Sequence, residues 1–515
     1  MDIKLQTRLG TVLGCEDEGV QIFKRIPYAA PPVSNRRFMA PQPAETWDGE
    51  LDATDFGPAA PQEGAAMMGI KEVSDDCLYL NIWAPTGEKE KRPVMVWIHG
   101  GGYFIGSGSQ DLYDGKKLAH HGDIVVVNIN YRLGVVGYGL LSSMLGNEEI
   151  FSVNNGLLDQ VAALQWVQDN IADYGGDPDN VTIFGESAGG MSVGTLLGTP
   201  QAKGLFHKAI VQSGSADHVT STSSAKKIAE VFLDKMEVSE EKDFYKLFEC
   251  SVKDLLVAQR ACLSLSVDRG IRNDTMPMRG MTLVPVVDGA VLPQRPIDAI
   301  REGKAKEIPL MAGSNQDEWN LFLHTPLFGN VGNTDEYRSM RDEDLLAMFK
   351  TSLPKDTQRA MELYYQADSN DDMTRINAYS KMETDRMFRA PILQLLEAQS
   401  SHQKNVYGYE LTWQAPGFNG MLGASHLVEV PLIFGQLNGM TGSMFVGNTK
   451  EAQELSRNMM SAWAGFAKSG TPKSGFNNWP EFNTNNPQVM ELGAKCGGMD
   501  SISGDKKAFW DDLLV

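Results

Sequence analysis

The stretch that most constrains the fold is residues 181–193, which contain the pattern Gly-x-Ser-x-Gly around Ser187. Its first four residues, Val-Thr-Ile-Phe, predict a strand, and the small residues after the pattern tolerate a helix. A serine at such a turn is strained, its hydroxyl is exposed, and its flanking glycines leave space that Cβ atoms would fill. Ser187 is therefore the candidate nucleophile. The alternative is a serine in an ordinary glycine turn.

The chain around this turn alternates between short apolar runs and a helical pattern. Residues 94–98 and 124–129 are largely apolar runs, as in strands buried on both faces. Residues 157–172 place apolar side chains at helical spacing, and Gly-Gly-Asp-Pro at 175–178 ends that helix. Residues 209–212 predict the next strand. This order predicts an α/β protein with a mostly parallel central sheet and helices on both faces.

Three consecutive glycines, Gly100, Gly101 and Gly102, follow His99 directly after the predicted strand 94–98. Glycines in this position leave backbone N–H groups free to approach a ligand closely, as an oxyanion hole requires. The alternative interpretation is a flexible structural turn.

Charge and composition exclude several classes of protein. Forty-six Lys and Arg against 66 Asp and Glu give a net charge of −20, which argues against electrostatic binding of nucleic acid or an anionic membrane surface. No apolar run approaches the length of a membrane span, and the first ten residues lack the apolar core of a signal peptide. We therefore expect neither a nucleic-acid partner nor a membrane span.

The cysteines are odd in number and scattered, without Cys-x-x-Cys or metal-finger spacing. They are Cys15, Cys77, Cys250, Cys262 and Cys496. We interpret them as reduced thiols of a cytoplasmic protein and predict no metal site. The alternative is an exported protein in which Cys250 and Cys262 pair.

The serine turn and the glycine turn together resemble the α/β-hydrolase superfamily. More narrowly, they resemble the type B carboxylesterases, which include bacterial para-nitrobenzyl esterases and the cholinesterases. The resemblance covers nearly the whole chain and looks most like the bacterial intracellular branch. Its further motifs lie, in the family's order, at residues 26–29, 37–38, 76–81, 96–102, 130–134, 176–182, 185–190, 212–215 and 286–289.

Two long segments between predicted strands are mostly helical in pattern, at about 217–305 and 320–404. Neither is separated from its surroundings by a linker of distinct composition. With the resemblance, this predicts a single α/β-hydrolase catalytic domain over residues 1–515 that carries two helical insertions.

A serine nucleophile needs a base that a third group orients. In α/β-hydrolases the order along the chain is serine, acid, histidine. The loop after the predicted strand 308–312 contains Asp317 and Glu318, and the loop after strand 406–411 contains His426. The resemblance implies that Glu318 is the acid and His426 the base, while Asp317 is interpreted as a neighbouring carboxylate.

The resemblance also implies an oxyanion hole formed by the backbone N–H groups of Gly101, Gly102 and Ala188. Glu186 matches a family glutamate that organises water and charge near the site, although a purely structural hydrogen bond is the alternative. Ser213 resembles a serine that lies near the acid and the histidine in relatives.

Two departures from the family pattern narrow the expected function. Exported relatives have a cysteine, paired with the match of Cys77, where Ala60 stands here, so its absence favours a reducing, cytoplasmic compartment. Residues 61–76 contain no tryptophan, so the cation-π platform that binds choline in cholinesterases is missing.

The resemblance therefore implies a serine carboxylesterase that acts on small to medium uncharged esters without metal or organic cofactor. We expect a monomer or small homo-oligomer. The alternatives within the family are a lipase-like enzyme and a carbamate or amide hydrolase. The alternative from another class is a non-catalytic, cholinesterase-like binding module.

Overall fold

The computed structural model describes residues 1–87, 91–147, 150–239, 241–268, 277–325, 334–366, 371–502 and 504–514. Its strands are β1 (Asp2–Thr7), β2 (Gly10–Asp17), β3 (Val20–Pro27), β4 (Glu50–Asp52), β5 (Tyr79–Pro85), β6 (Arg92–Ile98), β7 (Val125–Ile129), β8 (Gly176–Glu186), β9 (Lys208–Gln212), β10 (Thr220–Ser221), β11 (Ser266–Asp268), β12 (Pro277–Arg279), β13 (Val286–Val287), β14 (Leu310–Asn315), β15 (Val406–Leu411), β16 (Gln488–Leu492) and β17 (Gly497–Asp500).

Its α-helices are α1 (Lys116–Gly122), α2 (Gly134–Tyr138), α3 (Ser142–Leu145), α4 (Asn155–Asn170), α5 (Ala188–Leu197), α6 (Thr222–Lys235), α7 (Tyr245–Glu249), α8 (Val252–Leu263), α9 (Pro296–Arg301), α10 (Asn320–His324), α11 (Thr334–Arg338), α12 (Asp342–Ser352), α13 (Thr357–Tyr364), α14 (Thr374–Thr384), α15 (Ala390–Ser400), α16 (Glu429–Ile433), α17 (Met440–Phe445), α18 (Lys450–Ser469) and α19 (Gly504–Leu514). One π-helical turn, Asp385–Arg389, joins α14 to α15.

Thirteen of the described strands form one sheet. Its order is β1-β2-β3-β5-β7-β6-β8-β9-β14-β15-β16-β17, with β4 beside β2. The strands from β7 to β16 in this order run parallel to one another. On one side β1, β2, β3 and β5 pair antiparallel in this order, β5 pairs antiparallel with β7, and on the other side β17 pairs antiparallel with β16; β4 is parallel to β2. The predicted mostly parallel central sheet is confirmed.

The sheet is buried on both faces, as strand β6 illustrates. Val94, Val96 and Ile98 belong to one apolar cluster, which includes side chains of α4 and α15. Met95 and Trp97 belong to a second cluster, which includes side chains of α18. Successive side chains of a strand point to opposite faces, so helices cover this sheet on both sides. Full burial of each such apolar side chain stabilises the fold by roughly 1.5–3 kcal/mol.

The two segments that were predicted to be helical lie between neighbouring strands of the sheet. Helices α6 to α9 lie between β9 and β14, and α10 to α15 lie between β14 and β15. The first segment also contains short strands, because β10 pairs with β13 and β11 pairs with β12 in two small separate sheets. These two small sheets were not predicted.

The five cysteines are all free thiols. Cys250 accepts a hydrogen bond from Nη1 of Arg37 at 3.2 Å, and the thiol of Cys262 faces the carbonyl oxygen of Ile228. Cys250 and Cys262 therefore do not form the disulfide that was the alternative interpretation. Across the described ranges, no helix has both the length and the apolar character needed to cross a membrane.

The strand order brings the predicted functional segments to one edge of the sheet. Strand β6 ends just before the glycine turn, β8 ends just before Ser187, β14 ends just before the loop of Glu318, and β15 precedes the loop of His426. These strands are parallel, and in such sheets the crevice beyond the carboxyl ends of the strands is where ligands bind.

Candidate active site

Ser187 lies at a sharp turn between β8 and α5. Its backbone has φ 57° and ψ −126°, a strained conformation for a residue with a Cβ. The turn is held by a hydrogen bond from the Ser187 N–H to the carbonyl oxygen of Gln212 at 3.0 Å. A Cβ atom at Gly189 would overlap the carbonyl oxygen of Ile98, and one at Gly185 would lie 2.6 Å from the same oxygen. Both glycines are required, as the sequence pattern indicated.

The glycine turn lies directly against the serine. A Cβ at Gly100 would lie 2.8 Å from the carbonyl oxygen of Glu186 and 3.1 Å from the Cβ of Ser187, so a side chain does not fit there without a shift of the backbone. Gly101 and Gly102 have φ of 107° and 61°. Within the described part of the chain, their N–H groups have no hydrogen-bond acceptor. Ala188 is the first residue of α5, where N–H groups also lack an intrahelical acceptor. Free donors therefore lie beside the serine.

His99 supports the glycine turn. Its ring stacks on Tyr131 with centroids 4.5 Å apart, and Nδ1 donates to the carbonyl oxygen of Gly100 at 2.8 Å. Burial lowers the pKa of His99 to about 4, so the imidazole is neutral at pH 7. The Tyr131 hydroxyl donates to the carbonyl oxygen of His99 at 2.8 Å. The neutral ring is fixed by the stacking contact and by the hydrogen bond, and it stabilises the backbone of the glycine turn.

His426 and Glu318 form a buried pair. Nδ1 of His426 donates to Oε2 of Glu318 at 2.6 Å. The other carboxylate oxygen of Glu318, Oε1, accepts from the Ser213 hydroxyl at 2.6 Å and from the Asn315 N–H at 2.7 Å. The carboxylate therefore fixes the tautomer of the imidazole. Nδ1 carries the proton, and Nε2 is free to accept another.

The second nitrogen of His426 faces another carboxylate. Nε2 lies 2.9 Å from Oε1 of Glu186, although the two atoms are not aligned for a hydrogen bond. Burial by itself lowers the pKa of His426, but the Glu186 and Glu318 carboxylates outweigh burial and raise it well above its usual value. Among the described residues, no side chain hydrogen-bonds the hydroxyl of Ser187. The imidazole is thus held between two acids, beside the serine.

A third buried carboxylate, Glu429, lies behind this pair. Its Oε2 accepts from Nδ2 of Asn315 at 2.6 Å, and its Oε1 accepts from the Ser213 hydroxyl at 3.3 Å. Burial first, and then the charges of Glu186 and Glu318, raise the pKa of Glu429 to about 8. Burial likewise raises the pKa of Glu186. With a pKa of about 8, Glu429 is mostly protonated, and so uncharged, at neutral pH.

Asp317 holds the two loops of the site together. Its N–H donates to the carbonyl oxygen of Ala424 at 2.9 Å, and its Oδ2 accepts from the Ala424 N–H at 2.9 Å. A Cβ at Gly423, which has φ 60°, would overlap that carboxylate. Asp317 thus anchors the loop of His426, and its neighbour Glu318 is the residue that contacts the imidazole.

Two phenylalanines flank the imidazole. The ring centroids of Phe322 and Phe388 lie 5.3 Å and 4.8 Å from that of His426. Phe388 belongs to the π-helical turn Asp385–Arg389. Such turns occur frequently at functional sites.

The same π-helical turn belongs to a chain of hydrogen bonds that begins in α19. Trp510 Nε1 donates to the Tyr364 hydroxyl at 2.7 Å, and that hydroxyl donates to Oδ2 of Asp385 at 2.6 Å. Arg389 donates through Nη1 to Oδ1 of Asp385 at 2.6 Å and through Nη2 to the carbonyl oxygen of Gln316 at 3.0 Å. The helix α19 is in this way connected to the loop that carries Glu318.

A cavity of about 570 Å³ opens over these residues. Ser187, Glu186, His426 and Gly101 line it, while Gly102 and Ala188 are their immediate neighbours in the chain. The remaining wall is largely apolar and includes Met67, Met68, Ile105, Leu112, Tyr113, Leu427, Met440, Met444 and Phe445. Its volume and lining are those of a small-molecule site.

The family of the chain follows from its whole length. The model of the Carboxylesterase family matches residues 2–510. The chain belongs to the carboxylesterase family. With this family and with the relatives below, it is a serine carboxylic ester hydrolase, and the interpretation as a non-catalytic binding module is set aside.

The relatives of this carboxylesterase include bacterial and animal enzymes. The para-nitrobenzyl esterase of Bacillus subtilis (strain 168) is 39% identical over 492 residues, which cover 94% of each chain. The acetylcholinesterase of Bungarus fasciatus is 32% identical over 550 residues, which cover 100% of this chain and 86% of the snake enzyme. A Geobacillus stearothermophilus carboxylesterase structure superposes with a TM-score of 0.85 at 37% identity, covering 98% of this chain and 99% of that one. The α/β-hydrolase fold is therefore confirmed.

The carboxylesterase site contains residues that the sequence patterns did not reveal. Glu429 stands three residues after His426 in the Gly-x-x-His-x-x-Glu-x-Pro sequence, and that spacing was the one signal available for it. Phe322 and Phe388 carry no local signal, because their contacts with His426 arise only from packing between distant segments.

Proposed function

We propose that this carboxylesterase hydrolyses small to medium uncharged esters through an acyl-enzyme on Ser187, with His426 as general base and Glu318 as the acid that orients it. The observation that carries the proposal is the 2.6 Å hydrogen bond between His426 and Glu318, next to a cavity that Ser187 also lines. A nucleophile, a base and an orienting acid in this arrangement are what acyl transfer requires.

In the first half of the proposed reaction, Nε2 of His426 takes the proton from Oγ of Ser187 as Oγ attacks the ester carbonyl carbon. The N–H groups of Gly101, Gly102 and Ala188 stabilise the resulting oxyanion. In such sites, the loss of one hydrogen-bond donor lowers the rate by about a hundredfold to a thousandfold. His426 then gives its proton to the leaving alcohol oxygen, and the acyl group remains on Ser187.

In the second half, His426 takes a proton from water, whose oxygen attacks the acyl carbon. The tetrahedral intermediate collapses, the Ser187 oxygen regains the proton from His426, and the carboxylic acid leaves. Glu318 stabilises the imidazolium in both halves. Ser213 acts through its hydrogen bond to Glu318, which holds that carboxylate in place.

Proton transfer requires Nε2 of His426 to turn from Glu186 to the adjacent Ser187. Glu186 and Ser187 are neighbours in the chain, so a small rotation of the imidazole would bring Nε2 to the Ser187 hydroxyl, which then donates to it. Catalytic hydrogen bonds commonly tighten only with substrate bound. Glu186 is thus proposed to stabilise the positive charge of the imidazole between turnovers.

We also propose that residues 1–515 act as one catalytic domain in a reducing, cytoplasmic compartment, as a monomer or small homo-oligomer. The support for one domain is the single sheet that begins at β1 and ends at β17. The support for the compartment is the set of five free thiols.

The test is hydrolysis of para-nitrophenyl esters from acetate to palmitate, followed by labelling with a serine-directed organophosphate and mass mapping of the labelled peptide. We expect turnover of the short esters and a label on Ser187. Ser187→Ala should fold normally and lose more than about a thousandfold in kcat/KM. A label on another residue, or a Ser187→Ala protein with most of its activity, would overturn the assignment. Faster turnover of palmitate than of butyrate would favour the lipase-like alternative.

A further inference from the structure

Exposed apolar side chains form part of the lining of the active-site cavity. In the described part of the chain, eight large apolar side chains are exposed, and three of them line this cavity. Met67 is 72% exposed, Met440 is 84% exposed and Phe418 is 39% exposed. We call these three side chains the apolar rim. Exposed apolar patches of this kind mark binding surfaces.

The apolar rim is assembled from three segments that are distant in sequence. Met67 lies in the 3-10 turn Ala65–Met68, Phe418 lies in the turn Gly417–Gly420, and Met440 is the first residue of α17. The half-buried Met68 and Met444 line the same cavity beside them. Exposed and half-buried apolar side chains of these segments therefore line the same cavity.

The segment that carries Met67 is fixed to the oxyanion side of the site. Gln62 donates through Nε2 to the carbonyl oxygen of Gly106 at 2.8 Å and accepts from the Gly106 N–H at 2.7 Å. Gly106 follows closely after the glycine turn and also lines the cavity. The backbone beside the rim thus has a defined position relative to Ser187.

The chemistry of the rim side chains indicates which kind of ligand the rim binds. Methionine side chains are unbranched and polarizable and adapt to irregular apolar ligands. The net charge of −20 disfavours an anionic chain, and the rim offers no hydrogen-bond donor of its own. An uncharged, flexible alkyl chain satisfies all of these conditions.

We propose that Met67, Phe418 and Met440 form a subsite that binds an unbranched alkyl chain of the ester where this chain leaves the cavity. This inference rests on the proposed function of Ser187. The alkyl chain belongs either to the acyl group or to the alcohol, and the rim would recognise both through the same chemistry. The rim residues contribute to substrate specificity and not to the chemical step, because the acyl carbon of the ester reacts at Ser187, deeper in the cavity.

The rim should lower KM rather than raise kcat, because its contacts are the same in the ground state and the transition state. Each methylene that it removes from water should lower KM by about fourfold. An ester whose chain ends inside the cavity gains nothing from the rim.

The experiment measures KM over two series of esters. One series is para-nitrophenyl acetate, butyrate, hexanoate and octanoate, which varies the acyl chain, and the other is the acetate esters of butanol, hexanol and octanol. The test protein carries Met67→Gln together with Met440→Gln, which keeps side-chain length but adds a polar amide. Met67→Leu with Met440→Leu is the conservative variant, and Met144→Gln, an exposed methionine outside the cavity, is the matched control.

We expect the wild-type KM to fall with chain length in at least one series, and that series identifies the half of the ester that the rim binds. In the double glutamine variant, the KM of the shortest ester divided by the KM of the longest ester should fall by about tenfold. The leucine variant and Met144→Gln should keep the wild-type ratio.

An unchanged KM ratio in the double glutamine variant would overturn the subsite, as would a wild-type KM that is independent of chain length in both series. These outcomes differ from a failure of the proposed function, in which the wild-type protein would hydrolyse none of the esters.

Discussion

The Nε2 atom of His426 lies 2.9 Å from Oε1 of Glu186, the residue immediately before Ser187. On its other side, Nδ1 of the same ring donates to Glu318. Burial lowers the pKa of His426, and the two carboxylates together raise it well above its usual value. In the mechanism that we propose, a protonated His426 cannot accept the proton of Ser187. The two carboxylates, Glu186 before Glu318, should therefore set the pH below which this carboxylesterase loses activity.

Glu186→Gln should therefore move the acidic limb of the kcat/KM profile to lower pH. The amide carries no charge, so the pKa of His426 should fall and the imidazole should stay neutral at lower pH. We expect the acidic limb to move by about one to three pH units. The measurement is kcat/KM for a para-nitrophenyl ester from pH 4 to pH 10, and Glu63→Gln, an exposed carboxylate, is the control. An acidic limb at the wild-type pH would show that Glu186 does not control the base.

Ser213→Ala should lower kcat/KM by about tenfold. The substitution removes a 2.6 Å hydrogen bond to the Glu318 carboxylate, and bonds to charged groups contribute about 1.5–3 kcal/mol. The matched control is Ser215→Ala, whose hydroxyl is buried nearby but interacts with His218 rather than with the acid. Equal losses in the two variants would point to a general packing effect instead of positioning of Glu318.

Gly189→Ala should reduce the free energy of unfolding by about 1–3 kcal/mol, because its Cβ would overlap the carbonyl oxygen of Ile98 between α5 and β6. Urea denaturation followed by circular dichroism measures the change. Gly497→Ala is the control, since a Cβ there meets no atom within 4 Å. Similar stability of the two variants would contradict the close approach that we describe at the serine turn.

Asp159→Asn should cost about 3–5 kcal/mol of stability, because it leaves the fully buried Arg132 guanidinium without its counter-charge. Arg132 donates through Nε and Nη2 to the two oxygens of Asp159 at 2.8 Å and 2.6 Å. The comparison is Asp173→Asn, whose partner Arg8 is mostly exposed and whose loss should cost less than about 1 kcal/mol. A difference of less than about 1 kcal/mol between the two variants in urea denaturation would be inconsistent with this assignment.

Dithiothreitol should leave the midpoint of thermal unfolding unchanged to within about 1 °C, since the chain has five free thiols and a broken disulfide typically costs about 2–5 kcal/mol. Differential scanning fluorimetry with and without the reductant is sufficient. A fall of several degrees would reveal a bridge between Cys250 and Cys262 and would favour an exported protein.

The sequence predicted the centre of the sheet better than its edges. Strands β6, β7, β8 and β14 are buried on both faces, so their apolar runs are nearly continuous and easy to recognise. The edge strands β1 and β17 were not predicted, because their residues are mostly polar or glycine and are partly exposed. Strand β16 and helix α19 were missed as well, since neither has a long apolar pattern.

The positions of the site residues could be predicted because they follow strand ends in a fixed order. Ser187, Glu318 and His426 each stand in a loop beyond a strand of the parallel sheet, and the topology brings these loops together. The orientation of the imidazole could not be predicted in the same way. It depends on the packing of Phe388 and on the position of the Glu186 carboxylate, which only the assembled fold defines.

A chain of hydrogen bonds leads from Trp510 in α19 to the carbonyl oxygen of Gln316, beside the loop of Glu318. Helix α19 therefore supports the position of this loop. Trimming this helix, or fusing a rigid partner directly to it, should therefore disturb the loop beside Glu318 through these hydrogen bonds. Surface immobilisation and affinity tags are therefore better attached near β1, at the edge of the sheet opposite β17, which is the strand that precedes α19.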